Sequence, residues 1–199
     1  MKENKSQWYA TAFLQDDWSI NKQFSVIAGL RCDYHEKYGT NLTPKASVMY
    51  KIFPFTVRFN YARGYRSPSI KELYMNWDHL GMFWIYGNSK LKPETNNYIS
   101  LSGEYVNSWI NINANVYSNW FRNKIEGMWS NDQTELHYIN IGKSRLAGVE
   151  TMCKIQINRH INVHGAYNYL YTSKDADGVR LSSSSPHSGN IRAEYNTRI

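Results

Sequence analysis

The sequence lacks most of the marks by which common protein classes are recognised. Among 199 residues there are two cysteines, Cys32 and Cys153. A pair of thiols could form one bridge, but it is too few for a disulfide scaffold and has no metal-ligand spacing. No apolar run approaches the ~18 residues that a membrane-spanning helix needs. The opening residues, Met1 to Ser6, contain no apolar stretch, so no signal peptide is expected within them. Phosphate-cradling glycine loops, zinc spacings and the Gly-x-Ser-x-Gly nucleophile turn are missing. What the chain does have is aromatic mass: 16 Tyr, 7 Trp and 7 Phe, or 15% of all residues. That content argues against disorder, because such a chain has apolar surface to bury. Twenty-three Lys and Arg against 16 Asp and Glu leave a net charge of +7, which suits nucleic acid or an anionic membrane surface.

Hydrophobicity alternates with a period of two. Trp8, Ala10, Ala12, Leu14, Trp18 and Ile20 share one parity, against Thr11, Gln15, Asp17 and Ser19. Phe24, Val26, Ala28 and Leu30 continue it, then Ala46, Val48 and Tyr50, then Phe55, Val57, Phe59 and Tyr61. Ile110, Ile112, Ala114 and Val116 oppose Asn111, Asn113 and Asn115, a row suited to a wetted wall. One greasy and one polar face per strand is what a sheet between unlike surroundings requires. The pattern predicts about nine strands and no helix. Short connections are expected near Asn21-Lys22, Phe53-Pro54, Asn107-Ser108, Asn158-Arg159 and Asn196-Thr197. Long ones are expected at His35–Thr43, Gly64–Glu94, Asn123–Gln133 and Ser173–His187. Such alternation of rims, with aromatics at strand ends, characterises outer-membrane barrels. The rival is a soluble β-sandwich, an adhesin or carbohydrate-binding module, whose greasy faces would meet in a dry interior. Nine strands cannot close a barrel of even strand number, so residues 1–199 are expected to be part of a larger one.

The motifs then narrow the reading. Tyr65-Arg66-Ser67-Pro68-Ser69-Ile70-Lys71-Glu72-Leu73-Tyr74 and Gly87-Asn88-Ser89-Lys90-Leu91-Lys92-Pro93-Glu94 resemble the barrel of TonB-dependent outer-membrane receptors. Phe13-Leu14-Gln15-Asp16-Asp17-Trp18, Gly29-Leu30-Arg31-Cys32-Asp33 and the segment from Asn140 to Glu150 resemble further family motifs, in the same order. The resemblance implies an antiparallel transmembrane β-barrel of about 22 strands, with a plug that would precede Met1. It implies an outer-membrane receptor, not an enzyme, for active uptake of a scarce nutrient: an iron-siderophore, haem or cobalamin. Its implied partners are the TonB complex through the plug, outer-membrane lipid and lipopolysaccharide, and a surface lipoprotein. No intrinsic cofactor is implied.

The extracellular loop, residues 64–94, holds the candidate ligand site. Haem receptors of this family carry two boxes with a histidine between them. Tyr65-Arg66-Ser67-Pro68 and Asn88-Ser89-Lys90-Leu91 resemble those boxes, and His79 lies between. By that resemblance His79 is the candidate ligand of haem iron. Tyr74, Trp77, Phe83, Trp84 and Tyr86 are candidates to stack on a ligand ring, with Tyr65, Arg66 and Asn88 at the ends of the loop. Arg58, Arg63, Arg66 and Lys71 suit either a solvated lumen or the attraction of anionic chelates and lipopolysaccharide phosphates. His160 and His164 read as polar lumen wall. Asp16 and Asp17 point to opposite faces of a strand and cannot form a catalytic dyad. The basic residues are dispersed, which speaks against nucleic acid.

Overall fold

The computed structural model describes residues 5–173 and 185–197. Its strands are β1 (Tyr9–Ser19), β2 (Phe24–His35), β3 (Gly39–Ile52), β4 (Phe55–Arg66), β5 (Asn76–Asp78), β6 (Trp84–Tyr86), β7 (Glu94–Val106), β8 (Ile110–Trp129), β9 (Glu135–Gln156), β10 (Ile161–Thr172) and β11 (His187–Tyr195). Nine of them form one antiparallel meander in the order β1-β2-β3-β4-β7-β8-β9-β10-β11, while β5 and β6 stand off this path. The expected nine-strand wall is therefore present.

Register aligns the alternation across the whole sheet. Val26 pairs with Val48, Val48 with Phe59, Phe59 with Leu101, Leu101 with Val116, and Val116 with Val149. A slip of one residue in any pair would turn a strand's apolar set to the polar side. The opposite face is wired by polar side chains. Ser47 Oγ donates to Asn60 Oδ1 at 2.7 Å, Asn60 Nδ2 to Ser100 Oγ at 3.0 Å, and Asn96 Nδ2 to Asn119 Oδ1 at 2.7 Å.

The greasy face is bare. Leu14 is 78% exposed, Leu101 53% and Val116 54%. The buried hydrophobic residues are Leu73, Leu91 and Ile125, and none lies within this apolar band. Among the described residues no second layer covers the sheet and no dry interior forms, so the sandwich reading is not favoured.

Three short turns share one device. Asn21 Oδ1 accepts the N–H groups of Gln23 and Phe24, Asn107 Oδ1 those of Trp109 and Ile110, and Asn158 Oδ1 those of His160 and Ile161. Asparagine holds such turns because its short side chain satisfies main-chain donors two and three residues on.

Several expectations are corrected. A short helix α1 (Ile70–Tyr74) does form, inside the loop between β4 and β7. The connection expected at 35–43 shrinks to a tight turn, since β2 runs to His35 and β3 begins at Gly39. The loop expected at 123–133 is mostly strand: β8 continues to Trp129 and β9 begins at Glu135. Outside the hydrocarbon layer neither face meets lipid, so pairing persists while the alternation that would reveal it disappears. The connection expected at 173–187 lies largely outside the described residues.

Candidate functional site

β8 and β9 outgrow their neighbours. β7 pairs with β8 only as far as Arg122, and β10 pairs with β9 only from Leu146. Lys124–Trp129 and Glu135–Arg145 therefore rise as a bare hairpin above the sheet. The chain between β4 and β7 folds across it. Leu73 and Leu91, each 2% exposed, cluster with Ile125, and Tyr138 packs against them. Ile125 and Tyr138 continue the parity of Tyr117 and Gly148, the polar side of the sheet, so the loop lies over that side.

α1 starts at Ser69, whose side chain accepts from the Glu72 N–H while Glu72 accepts from the Ser69 N–H at 2.8 Å. This reciprocal cap lets a five-residue helix persist. Arg66 Nη1 grips both Glu72 oxygens at 2.9 and 3.0 Å, and its Nη2 reaches Glu94 at 3.3 Å. Glu94 in turn accepts the Ile125 N–H at 3.0 Å. Burial would raise the Glu72 carboxyl, but the Ser69 N–H and the Arg66 guanidinium outweigh it and hold the group below the usual carboxylate range.

The second box is equally occupied. The Asn88 N–H donates to Glu72 O at 2.8 Å, its Nδ2 to Tyr138 O at 3.1 Å, and its Oδ1 accepts the Lys90 N–H at 3.0 Å. Asn140 of β9 completes the strap: its Oδ1 accepts the Lys92 N–H at 2.8 Å and its Nδ2 donates to Lys92 O at 2.9 Å and to Asn123 O at 2.8 Å. Gly87 passes under α1 so closely that a Cβ would stand 2.6 Å from the Met75 and Tyr74 nitrogens.

Between these anchors β5 and β6 form a miniature hairpin, and β6 adds in parallel to the free edge of β9, Tyr86 opposite His137. This presents two aromatic groups. Trp77, His79, Phe83 and Trp129 form a row with successive ring centroids 4.7, 4.8 and 5.0 Å apart. His79 Nδ1 is buried there without a hydrogen-bond partner. Trp84, Tyr86 and His137 form a second stack, at 6.0 and 5.0 Å.

The nine candidate residues thus divide by role. Trp77, His79 and Phe83 come together, as do Trp84 and Tyr86. Arg66 and Asn88 are consumed in holding the loop down. Tyr65 is partly buried at the end of β4, opposite Thr95. Tyr74 lies under the Lys5 ammonium, 5.3 Å from its ring centre. Sequence reasoning missed Trp129 and His137, which it placed in or beside a loop rather than on the paired hairpin. Below the loop, a cleft of about 370 Å³ is lined by Gln15, Arg31, Lys45, Arg66, Glu94 and Asn96. Arg58 lies on the polar face as well, with Met49 Sδ as its partner at 3.2 Å.

The family described as TonB dependent receptor-like, beta-barrel, matches residues 2–198. An iron-regulated outer membrane virulence protein of Vibrio cholerae is 26% identical over 187 residues, 86% of this chain and 28% of that protein. The vitamin B12 transporter BtuB of the same species is 29% identical over 149 residues, 74% of this chain and 22% of the transporter. The solved structure of the siderophore receptor PirA from Pseudomonas aeruginosa superimposes with a TM-score of 0.78 at 19% identity, over 96% of this chain and 34% of the receptor. The chain spans between 22% and 34% of the length of these relatives. From its nine-strand wall, bare apolar face and matched sequence, the chain belongs to the TonB-dependent receptor β-barrel family of the bacterial outer membrane.

Proposed function

We propose that this chain forms part of the wall and the extracellular mouth of a receptor that takes up a ferric siderophore with energy supplied through TonB. The observation that carries this reading is the aromatic row Trp77–His79–Phe83–Trp129, presented at the rim above a cleft whose walls include Arg31 and Lys45. Flat rings suit the aryl groups of an iron chelate, and cations draw an anionic chelate inward. The names of the relatives support iron, since one is iron-regulated and another is a siderophore receptor. The vitamin B12 relative keeps cobalamin as the alternative cargo. The TonB contact belongs to the plug that the family resemblance implies, and no residue of this chain is assigned to it.

The test is growth of an iron-starved strain whose only receptor is the full-length protein. Ferric catecholates and haem are supplied separately as iron sources, and cobalamin is supplied to an iron-replete, cobalamin-requiring strain with the same receptor, each with and without TonB. TonB-dependent growth on a ferric catecholate is expected. The double substitution Trp77→Ala with Phe83→Ala should reduce that uptake at least fivefold at unchanged surface expression. Growth on cobalamin alone would refute the siderophore reading.

One observation favours haem as a second reading: the buried His79 Nδ1 has no partner, and the ring sits among aromatics that suit a porphyrin. On this reading His79→Ala abolishes growth on haem and leaves siderophore growth intact. Unchanged growth on haem would remove His79 as the iron ligand.

A further inference from the structure

Arg66 stands on the boundary between two parts of the mouth. It lies in the wall of the cleft of about 370 Å³, with Arg31, Lys45, Arg63 and Glu94. The same side chain reaches into the loop, where Glu72 caps α1. The two sides of this contact are unequally covered. The Arg66 side chain is 45% exposed, whereas those of Glu72 and Glu94 are 14% and 15% exposed. Its Nη1 serves both Glu72 oxygens and its Nη2 serves Glu94, while its Nε has no hydrogen-bond partner among the described residues. The carboxylates are held on the protected side, and the cation stays open to a competitor.

Loss of the guanidinium would orphan neither carboxylate. Glu72 Oε2 also accepts the Ser69 N–H at 2.8 Å and the Ser69 hydroxyl at 2.9 Å. Glu94 Oε2 also accepts the Ile125 N–H at 3.0 Å. Covered charges need donors, and these second donors let the guanidinium change partners. The cleft is furnished for negative charge as well. Lys45 has no ion-pair partner among the described residues. Its stem lies across Gly29, where a Cβ would stand 2.8 Å from the Lys45 Cε, so the absent side chain makes room for it.

A carboxylate on an arginine takes the place that an oxyanion of a ligand would take. We propose that the Arg66–Glu72 contact is autoinhibitory: Glu72 fills the anion site of Arg66, and a multiply charged anion in the cleft displaces it and frees α1 from the wall. Loop docking and anion binding then compete for one guanidinium. Linkage makes the competition reciprocal, so whatever weakens the internal contact tightens the anion. The identity of the natural anion rests on the siderophore reading, whereas the competition itself does not.

The test uses the full-length receptor in detergent, with pyrophosphate as the probe and sodium chloride at equal ionic strength as its control. Hydrogen exchange at residues 70–75 should rise several-fold in pyrophosphate and stay unchanged in chloride. Arg66→Gln should exchange fast in both salts. Glu72→Gln keeps a side chain able to complete the cap at Ser69 and unmasks Arg66. Calorimetry should show it binding pyrophosphate about fivefold or more tightly than wild type, the low end for coupled sites. Asp78→Asn removes the same charge from the same loop and should leave the affinity unchanged. Heat-modifiable gel migration establishes that each variant is folded. Unchanged exchange at residues 70–75 in pyrophosphate would overturn the proposal. So would equal affinity of wild type and Glu72→Gln, or equal tightening by Asp78→Asn. The siderophore reading fails separately: absent uptake of ferric catecholate, with pyrophosphate still releasing α1, would remove that reading and leave this contact standing.

Discussion

Arg66 illustrates how a residue type suggests one role and its neighbours assign another. An arginine at the end of a candidate ligand loop invites a ligand contact. Here its fork is spent on Glu72 and Glu94, which tie the start of the loop to its end. Because the Arg66 side chain is 45% exposed, solvent screening limits the pair to about 1 kcal/mol. Arg66→Ala should speed hydrogen exchange at residues 70–91 several-fold and leave the β7–β8 ladder protected. The acid response has a defined sign. Glu72 titrates below its ordinary value of 4.5, so its contribution is complete above that pH and fades as the pH falls through the lower folded value. Loop protection should therefore decline below about pH 4.5 in the wild type, and much less in Glu72→Gln. Gly87 is the stricter position. Gly87→Ala places a methyl group against the backbone of α1, and a strain of about 2 kcal/mol or more should unseat the loop. Proteolysis within residues 76–86 would report it, and wild-type resistance in the alanine variant would contradict the close packing.

The strands are read most clearly where they cross the membrane. Val116 pairs with Leu101 and Val149 near the middle of the apolar band, while Asn115 faces the wet side beside Glu150, 3.3 Å away. Val116→Lys should cost about 2–4 kcal/mol in urea unfolding from lipid vesicles, whereas Asn115→Lys should cost under about 1 kcal/mol. Equal costs would mean that the two faces had been assigned the wrong way round. The hairpin of β8 and β9 behaves differently above the rim. Its pairing is continued by main-chain bonds, and its polar-side face is covered by the loop rather than by lipid. Asn140 makes three hydrogen bonds there to loop and hairpin carbonyl and amide groups. It was visible in the sequence as one residue of a family motif, yet nothing local revealed that its partner would be Lys92. Trp129 was hidden for the same reason, because polar residues around it resemble a loop as readily as a solvated strand.

At the largest scale, the informative feature is that the described residues of the sheet enclose no buried apolar centre. A domain that folds in water places its largest apolar side chains inside. Here the sheet leaves them outward, and the buried hydrophobic residues among those described gather at the mouth, in and beneath a folded loop. The arrangement is stable only where a hydrocarbon solvent covers that face, which the lipid bilayer supplies. Purified full-length receptor should accordingly need detergent to remain monodisperse, and a monodisperse detergent-free preparation would contradict the exposed band. Alternation was sufficient for the nine strands of the wall and its two unlike faces, because a period of two is written into neighbouring residues and needs no distant partner, but on pattern alone membrane barrel and soluble sandwich both stayed open. Ordered motifs were sufficient for the family. The conformation of residues 67–93, the role of Arg66 as a clamp, and the meeting of Trp77, His79 and Phe83 with Trp129 depended on contacts between residues up to 50 positions apart. Such contacts follow from which strands outgrow their neighbours and which edges remain unpaired, and no local pattern encodes either.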